Sequence, residues 1–220
     1  MLKREELSTE RVEQIVADAR AAGFDFFLSQ EEREASLAQA LNRYQPGEEA
    51  WVFAYGSLMW NPAIEFADAS ACEVEGWRRS FCFWLPLGRG TPELPGLMLA
   101  LERGGSCEGI AYRIPDGQAK ATLAYLRARE QVNGVYREAH VQAQLLHLPS
   151  PSRGGDGGGG LQAPTEQTSP TPYPFPHGGG EHVTAVAYVV ERRHPSYAGR
   201  LPLAEQVRII RAARGISGCN

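Results

Sequence analysis

The segment Trp51-Val52-Phe53-Ala54-Tyr55-Gly56-Ser57-Leu58-Met59-Trp60 decides the fold that this chain can adopt. Its first four residues are apolar and include the aromatic and β-branched side chains that favour strands. Gly56 and Ser57 then end the strand pattern and expose backbone N–H groups at a turn. Such groups can hold a carboxylate or a developing oxyanion, so the segment predicts an anion-binding loop directly after a buried strand.

Composition restricts the class of protein. The chain has 220 residues, of which 43% are hydrophobic, so it can form one domain with a substantial core. A formal net charge of −4 argues against a nucleic-acid partner, because such proteins usually present a basic face. We expect the pairs Arg78-Arg79 and Arg192-Arg193 to be solvated surface. The charged amino terminus lacks the apolar region of a signal peptide, and no membrane-spanning run follows, which predicts a cytoplasmic protein.

Cysteine and histidine spacing gives no sign of a metal site. The four cysteines do not form a C-x-x-C pair, and the five histidines are dispersed. We therefore predict free thiols in a reducing compartment and no bound metal. The cysteines are Cys72, Cys82, Cys107 and Cys219.

Strand patterns dominate the middle of the chain. Short apolar segments bounded by Gly, Pro or Asp suggest hairpins, and so a largely antiparallel sheet or a small barrel. The predicted strands are Trp51–Ala54, Arg79–Trp84, Leu97–Leu101, Gly109–Ile114, Arg137–Leu146 and Val183–Val190. The loop 87–92 is either a lid over a site or a tight turn. Its Arg89 either holds a substrate carboxylate or lies at the surface.

Helical patterns occur at both ends. We predict helical structure within residues 1–45, where Ser29 and Glu32 form a capping box. Near the carboxyl end, residues 194–197 predict a turn. A helix is then expected over 203–213, with Leu203, Val207 and Ile210 on its apolar face and Gly215 as its stop.

The helix predicted after Asp116 carries the best candidate for acid–base chemistry. It should run to about Arg129, with Asp116 as its cap and Gly134 ending the helical region. One face holds Ala119, Leu123, Leu126 and Glu130. Because Glu130 continues an apolar stripe, its carboxylate should face the interior, where burial raises the pKa towards that of a general base. The alternative is an exposed glutamate at a frayed helix end beside Arg129.

Residues 149–181 differ from the rest of the chain. They are rich in Gly and Pro and too poor in apolar side chains to offset the entropy of ordering. We predict a flexible surface insertion there. The resulting division is a helical extension over 1–49, one domain formed by 50–148 and 182–220, and the insertion between its two parts.

Taken in order, these segments resemble the ChaC-type γ-glutamylcyclotransferases that act on glutathione. The resemblance covers about 50–148 and 182–218. The matching segments are 51–62, 76–81, 88–93, 95–101, 104–114, 129–130 with 134–136, 194–199 and 215–218.

The resemblance implies an α+β fold, a γ-glutamylcyclotransferase-like small β-barrel or mixed sheet with flanking helices. It implies a lyase that cleaves glutathione to 5-oxoproline and Cys-Gly without metal or cofactor. Glu130 matches the family's catalytic glutamate. The residues that the resemblance assigns to substrate binding are Ala54, Tyr55, Gly56, Ser57, Leu58, Met59, Tyr136 and Tyr197.

Two other functions stay open from the sequence. The protein could be a cyclotransferase for a different γ-glutamyl amine, since the contacts that select glutathione are to its Cys-Gly half. It could instead be a noncatalytic regulator that binds an acidic metabolite and is linked to cation transport. Ser57 as a nucleophile is disfavoured, because its surroundings are not a G-x-S-x-G elbow.

Overall fold

The computed structural model describes residues 17, 20–21, 23, 28–41, 49–86, 89–131, 134–146, 180–215 and 218–219. Predictions for the rest of 1–49 and for most of the insertion lie outside these residues. The helices are α1 Gln30–Leu41, α2 Ser57–Trp60, α3 Ala119–Glu130 and α4 Leu203–Ala212. The strands are β1 Trp51–Ala54, β2 Asp68–Leu85, β3 Gly96–Arg113, β4 Tyr136–Leu145, β5 His182–Val190, β6 Arg214–Gly215 and β7 Gly218–Cys219.

In the described part of the chain, β1 to β5 close into a barrel in the order β1-β3-β2-β4-β5. Consecutive strands in this order are antiparallel, and β1 closes the barrel by pairing in parallel with β5. Trp51 accordingly lies opposite Arg113 on one side and Ala185 on the other. The predicted small barrel with flanking helices is confirmed.

Strand β1 is buried on both of its faces. Phe53 and Tyr55 belong to the core inside the barrel. Val52 and Ala54 point the other way and pack with Leu126 of α3. This double burial explains why β1 is a continuous apolar run instead of an alternating one.

Strands β2 and β3 form one long hairpin, which corrects the prediction that Leu97–Leu101 and Gly109–Ile114 are separate strands. Both segments belong to the 18-residue β3. Gly104 and Gly105 have φ angles of 112° and 70°, and they lie across from Gly76, whose φ is 77°, where the register shifts by one residue. The glycines therefore form a bulge within continuous strands, not a turn between them.

Helix α3 carries Glu130 to the edge of the barrel. Leu123 and Leu126 are fully buried, which confirms the predicted apolar face. Asp116 is not the cap, because the helix begins at Ala119 with Gln118 in the N-cap position and no side-chain capping bond. Glu130 is the last helical residue, and Gly134, whose φ is 67°, donates its amide to the Gln131 carbonyl at 3.4 Å.

Helices α1 and α4 can be compared with the helices predicted near the two ends of the chain. At the start of α1, Ser29 and Glu32 exchange the two hydrogen bonds of a capping box, at 2.7 and 3.1 Å, as predicted. In α4, however, Leu203 is 74% exposed, whereas Ile209 is buried. The helix also ends at Ala212, and Gly215 lies in β6. Packing of α4 against the β3 side of the barrel, rather than sequence periodicity, selects its buried face.

A buried ion cluster joins β2, β3 and the segment after β5. Glu102 is 1% exposed and accepts hydrogen bonds from Arg78, Arg192 and Tyr197. Burial acts to raise the pKa of Glu102, but the bonds from Tyr197, Arg192 and Arg78 together hold it below the usual range. The expectation that Arg78 and Arg192 are merely solvated surface is therefore wrong, because β3 places a buried carboxylate beneath both.

The insertion is attached at a β-hairpin. Gln144 of β4 pairs with His182 of β5, and the Leu145 amide donates to the Glu181 carbonyl at 2.8 Å. Gly180 passes so close that a Cβ there would lie 1.9 Å from the Leu145 carbonyl oxygen. Because the two ends of the insertion meet, its length adds little to the entropy of closing the loop.

Three of the cysteines can be assessed. Cys72, Cys82 and Cys107 are free and buried, as predicted, and burial raises the pKa of Cys72 and of Cys82 to about 12. Such thiols are protonated and unreactive near neutral pH. The side chain of Cys219 lies outside the described residues. Among the described helices, none has both the length and the apolar character needed to cross a membrane.

Candidate active site

The site begins where β1 turns into α2. The chain passes through Tyr55 and Gly56, and the Met59 amide donates to the Gly56 carbonyl at 2.9 Å. The hydroxyl of Tyr112 donates to the Leu58 carbonyl at 3.2 Å and fixes the short helix to the barrel. The amides that open a helix have no acceptor within it, so Ser57 starts a set of available backbone donors.

A cavity of about 280 Å³ lies between this turn, β3 and the end of α3. Most of its walls are aromatic or aliphatic, and Glu130 is the ionisable carboxylate among the described residues that line it. The lining residues are Phe53, Tyr55, Gly56, Ser57, Leu58, Trp60, Met98, Leu99, Glu130, Tyr136 and Tyr188.

The fold brings most of the predicted site residues together. Glu130 and Tyr136 are distant in sequence from the turn after β1, yet they line the same cavity as that turn. The predicted residues that share the cavity are Tyr55, Gly56, Ser57, Leu58, Glu130 and Tyr136.

Ala54, Met59 and Tyr197 do not line this cavity as far as the described residues define it. Ala54 belongs to the outward face of β1, and Met59 packs with it against the cluster under α3. Tyr197 donates its hydroxyl to Glu102 and pairs through its backbone with Phe83. Ala54 and Met59 are thus held in the cluster that packs against α3, and Tyr197 is held by its bond to Glu102.

Glu130 is shielded from solvent. Its side chain is 16% exposed. Burial raises the pKa of Glu130, and the Arg129 guanidinium, with its Nε 3.1 Å from Oε1, opposes part of that rise. A carboxylate in this setting is a better proton acceptor than an exposed one, in line with the burial expected from the apolar stripe of α3.

Two tyrosines form neutral polar walls. Tyr55 donates its hydroxyl to the Tyr188 carbonyl at 2.6 Å, and Tyr136 donates to the Leu99 carbonyl at 3.1 Å. Burial, supplemented by the nearby charge of Glu130, raises the pKa of both phenols well above the ordinary range. They therefore stay protonated near neutral pH, and Glu130 is the carboxylate among the described lining residues that can accept a proton.

Arg129 is a further part of the site that was not among the residues predicted from the sequence. Its guanidinium donates to the Ser57 hydroxyl at 3.0 Å and to the Asn61 carbonyl at 3.1 Å, while Nε pairs with Glu130. One side chain thus joins the turn after β1 to the end of α3. Its position beside Glu130 was a hint, but no sequence pattern links it to a serine 72 residues away.

Closure of the barrel brings residues of β3 and β5 to the cavity, and these lining residues were not predicted from the sequence. Met98 and Leu99 come from β3, and Tyr188 comes from β5. The loop before β3 contributes no lining residue among those described, so Arg89 is not part of this cavity. Within that loop the Thr91 amide donates to the Leu94 carbonyl at 3.1 Å and the Leu94 amide donates to the Thr91 hydroxyl at 3.2 Å, so the segment is bonded to itself.

The arrangement suits proton transfer on a bound anion. The cavity combines one shielded carboxylate, backbone donors at a helix start and neutral tyrosines. Across the described ranges, no group of three or more His, Cys, Asp or Glu side chains is placed to hold a metal ion.

Comparison with known proteins gives consistent matches. Residues 50–220 match the model of a family described as ChaC-like protein. The glutathione-specific γ-glutamylcyclotransferase of Escherichia coli is 34% identical over 192 residues, which cover 87% of this chain and 69% of that protein. The mouse glutathione-specific γ-glutamylcyclotransferase 1 is 29% identical over 200 residues, covering 87% and 76%.

A solved structure supports the fold. The crystal structure of a yeast γ-glutamyl cyclotransferase specific to glutathione superposes with a TM-score of 0.59. The match covers 79% of this chain and 82% of that one, at 20% sequence identity.

Proposed function

Because the chain belongs to the ChaC-like protein family, we propose that it is a glutathione-specific γ-glutamylcyclotransferase. In this proposal it converts glutathione to 5-oxoproline and Cys-Gly, and it works in the cytoplasm, where buried free thiols such as Cys72 persist. The observation that carries the proposal is the shielded Glu130 carboxylate in one cavity with the Gly56–Leu58 turn. That pair supplies a proton acceptor and donors for an oxyanion.

The reaction needs no nucleophile from the protein. The α-amine of the γ-glutamyl group attacks the γ-carbonyl of the same group, which forms the C–N bond of the five-membered ring. The bond to the cysteinyl nitrogen then breaks. Holding an amine and a carbonyl of one molecule in reacting geometry can contribute several kcal/mol, up to about 7–11. A cavity of about 280 Å³ is suited to hold the γ-glutamyl end in such a folded form.

Glu130 is the proposed proton carrier. It takes a proton from the attacking amine and returns it to the leaving nitrogen, so protons balance over the cycle. Amides at Ser57 and Leu58 are proposed to hold the α-carboxylate or the developing oxyanion. Tyr55 and Tyr136, which remain protonated, shape the cavity without competing for the proton.

The competing functions are less well supported. A regulator that only binds an acidic metabolite has no need of a shielded carboxylate with a raised pKa, since that group would repel the anion once ionised. A cyclotransferase for another γ-glutamyl amine would use the same cavity. The names of the similar proteins favour glutathione over other γ-glutamyl compounds.

The proposal is tested by incubating the purified chain with reduced glutathione and measuring 5-oxoproline and Cys-Gly by mass spectrometry. We expect the two products in equal amounts, and less turnover of γ-glutamyl-alanine. Faster turnover of γ-glutamyl-alanine would show that the preferred substrate is a γ-glutamyl amine other than glutathione. No 5-oxoproline from either compound, with a folded protein, would reject cyclotransferase activity.

Arg129→Met tests how the site sets the pKa of Glu130. Removing a cation 3.1 Å from the carboxylate leaves burial unopposed, so the pKa of Glu130 rises further. Since the base acts in its ionised form, we expect the acid limb of the pH profile of kcat/KM to move to higher pH. The control Ser57→Ala removes one Arg129 hydrogen bond without a charge change. An acid limb that stays in place in Arg129→Met would contradict this account.

A further inference from the structure

A second cavity, of about 490 Å³, lies between β2 and the start of α4. Three arginines, Arg78, Arg79 and Arg200, line it together with Ser80 and Gln206. No acidic side chain is among the described residues that line it, although the chain as a whole carries a net charge of −4. A cavity of this charge is suited to an anion.

Two of the three arginines are available for a ligand. Arg78 is committed to Glu102, at 2.9 Å. Arg79 donates to the Glu108 carbonyl, which leaves further guanidinium donors. In the part of the chain that the structure describes, neither Arg79 nor Arg200 forms an ion pair. Two guanidinium groups at one cavity match the planar, bidentate recognition of a carboxylate.

The two cavities have one lining residue in common, Leu99 of β3. If the γ-glutamyl end occupies the cavity with Glu130, the rest of the substrate must leave that cavity through a neighbouring space. The Cys-Gly half ends in a carboxylate, and two extended residues span about 7 Å. A carboxylate that lies two residues beyond the scissile bond would then be offered a basic cavity that shares Leu99 with the cavity of Glu130.

We propose that Arg79 and Arg200 bind the glycine carboxylate of glutathione and select γ-glutamyl peptides that carry a carboxylate at that position. This inference rests on the proposed function and adds the residues that recognise the leaving half. It assigns Arg79 a role different from the solvated surface position that its sequence context suggests.

The test compares glutathione with its carboxyl-terminal amide, which has the same length and lacks the charge. In the parent we expect kcat/KM for glutathione to exceed that for the amide by about tenfold or more, the size of a charge-assisted hydrogen bond. Arg79→Gln and Arg200→Gln should each raise KM for glutathione and leave KM for the amide nearly unchanged. Arg79→Lys should restore part of the preference. The matched control is Arg211→Gln, which removes an exposed charge of α4 that does not line this cavity.

The possible outcomes separate this inference from the proposed function. A parent that turns over both compounds equally well keeps the cyclotransferase and overturns the arginine site. Loss of activity on both compounds to the same degree in Arg79→Gln and Arg200→Gln also overturns it, since that pattern indicates a structural role. A folded parent with no turnover of any γ-glutamyl compound rejects the proposed function and this inference together.

Discussion

Glu130→Gln is expected to reduce 5-oxoproline release from glutathione by about 10²–10⁴-fold, the usual contribution of a positioned general base. The substitution keeps the shape of the side chain and removes its ability to accept the amine proton. KM should change little, because the turn at Gly56–Leu58 and the tyrosine walls are left in place. The measurement is steady-state kinetics with detection of both products.

The same substitution should not unfold the protein. Burial raises the pKa of Glu130, so ionising it costs more in the folded state than in the unfolded one. Above the folded-state pKa this cost lowers the free energy of unfolding, and below the ordinary glutamate value of about 4.3 it vanishes. Glu130→Gln should therefore equal the parent at low pH and be more stable near neutral pH.

Urea unfolding at several pH values checks this second expectation. Glu75→Gln serves as a control, because Glu75 is an exposed carboxylate on β2. If Glu130→Gln retains the parent rate, Glu130 is not the base, whatever the stability result. If it is inactive and also destabilised, the lost activity reflects the fold and not the chemistry.

Replacing Glu102 is expected to cost the most stability. Glu102→Gln leaves Arg78 and Arg192 without the carboxylate that both of them contact. Both arginines are partly exposed, at 32% and 52%, so the expected loss is that of charge-assisted hydrogen bonds, about 1.5–3 kcal/mol. Arg192→Gln should cost about 1 kcal/mol or less, because that side chain is 52% exposed.

The pH dependence of this loss follows from the direction of the shift. The pKa of Glu102 is lower in the folded state, so its contribution is complete above the unfolded-state value of about 4.3. It disappears as pH falls through the folded-state pKa. The difference in unfolding free energy between parent and Glu102→Gln should therefore be constant near neutral pH and shrink in acid. Glu108→Gln, an exposed site on β3, is the control. A difference that persists unchanged in acid would show that packing, rather than charge, explains the loss.

Local patterns predicted the parts of the site that depend on one element. The stripe that ends in Glu130 is a property of α3 alone, since residues four and seven apart share a helix face. The turn after β1 is likewise visible as an apolar run followed by Gly56 and Ser57. Each prediction depends on one helix or one strand, so it could be made without knowing how the elements pack together.

Contacts between distant elements could not be predicted in the same way. Arg129 reaches Ser57 only because α3 and α2 meet at one end of the barrel. Leu99 borders two cavities because it pairs with Phe81 of β2, which lines one of them, while its carbonyl accepts the hydroxyl of Tyr136, which lines the other. Gly104 and Gly105 suggested the end of a strand, whereas cross-strand pairing with β2 carries β3 straight through them. In each case the deciding partner lies far away along the sequence.

The attachment of residues 149–181 has a consequence for engineering. Strand β4 begins at Tyr136, which borders the reaction cavity, and ends at Leu145, beside the attachment point. Ten residues at about 3.4 Å each place these ends about 30 Å apart along the strand. A fluorescent or affinity module fused within 149–181 would thus be joined to the protein at the end of β4 that is remote from the cavity lined by Glu130.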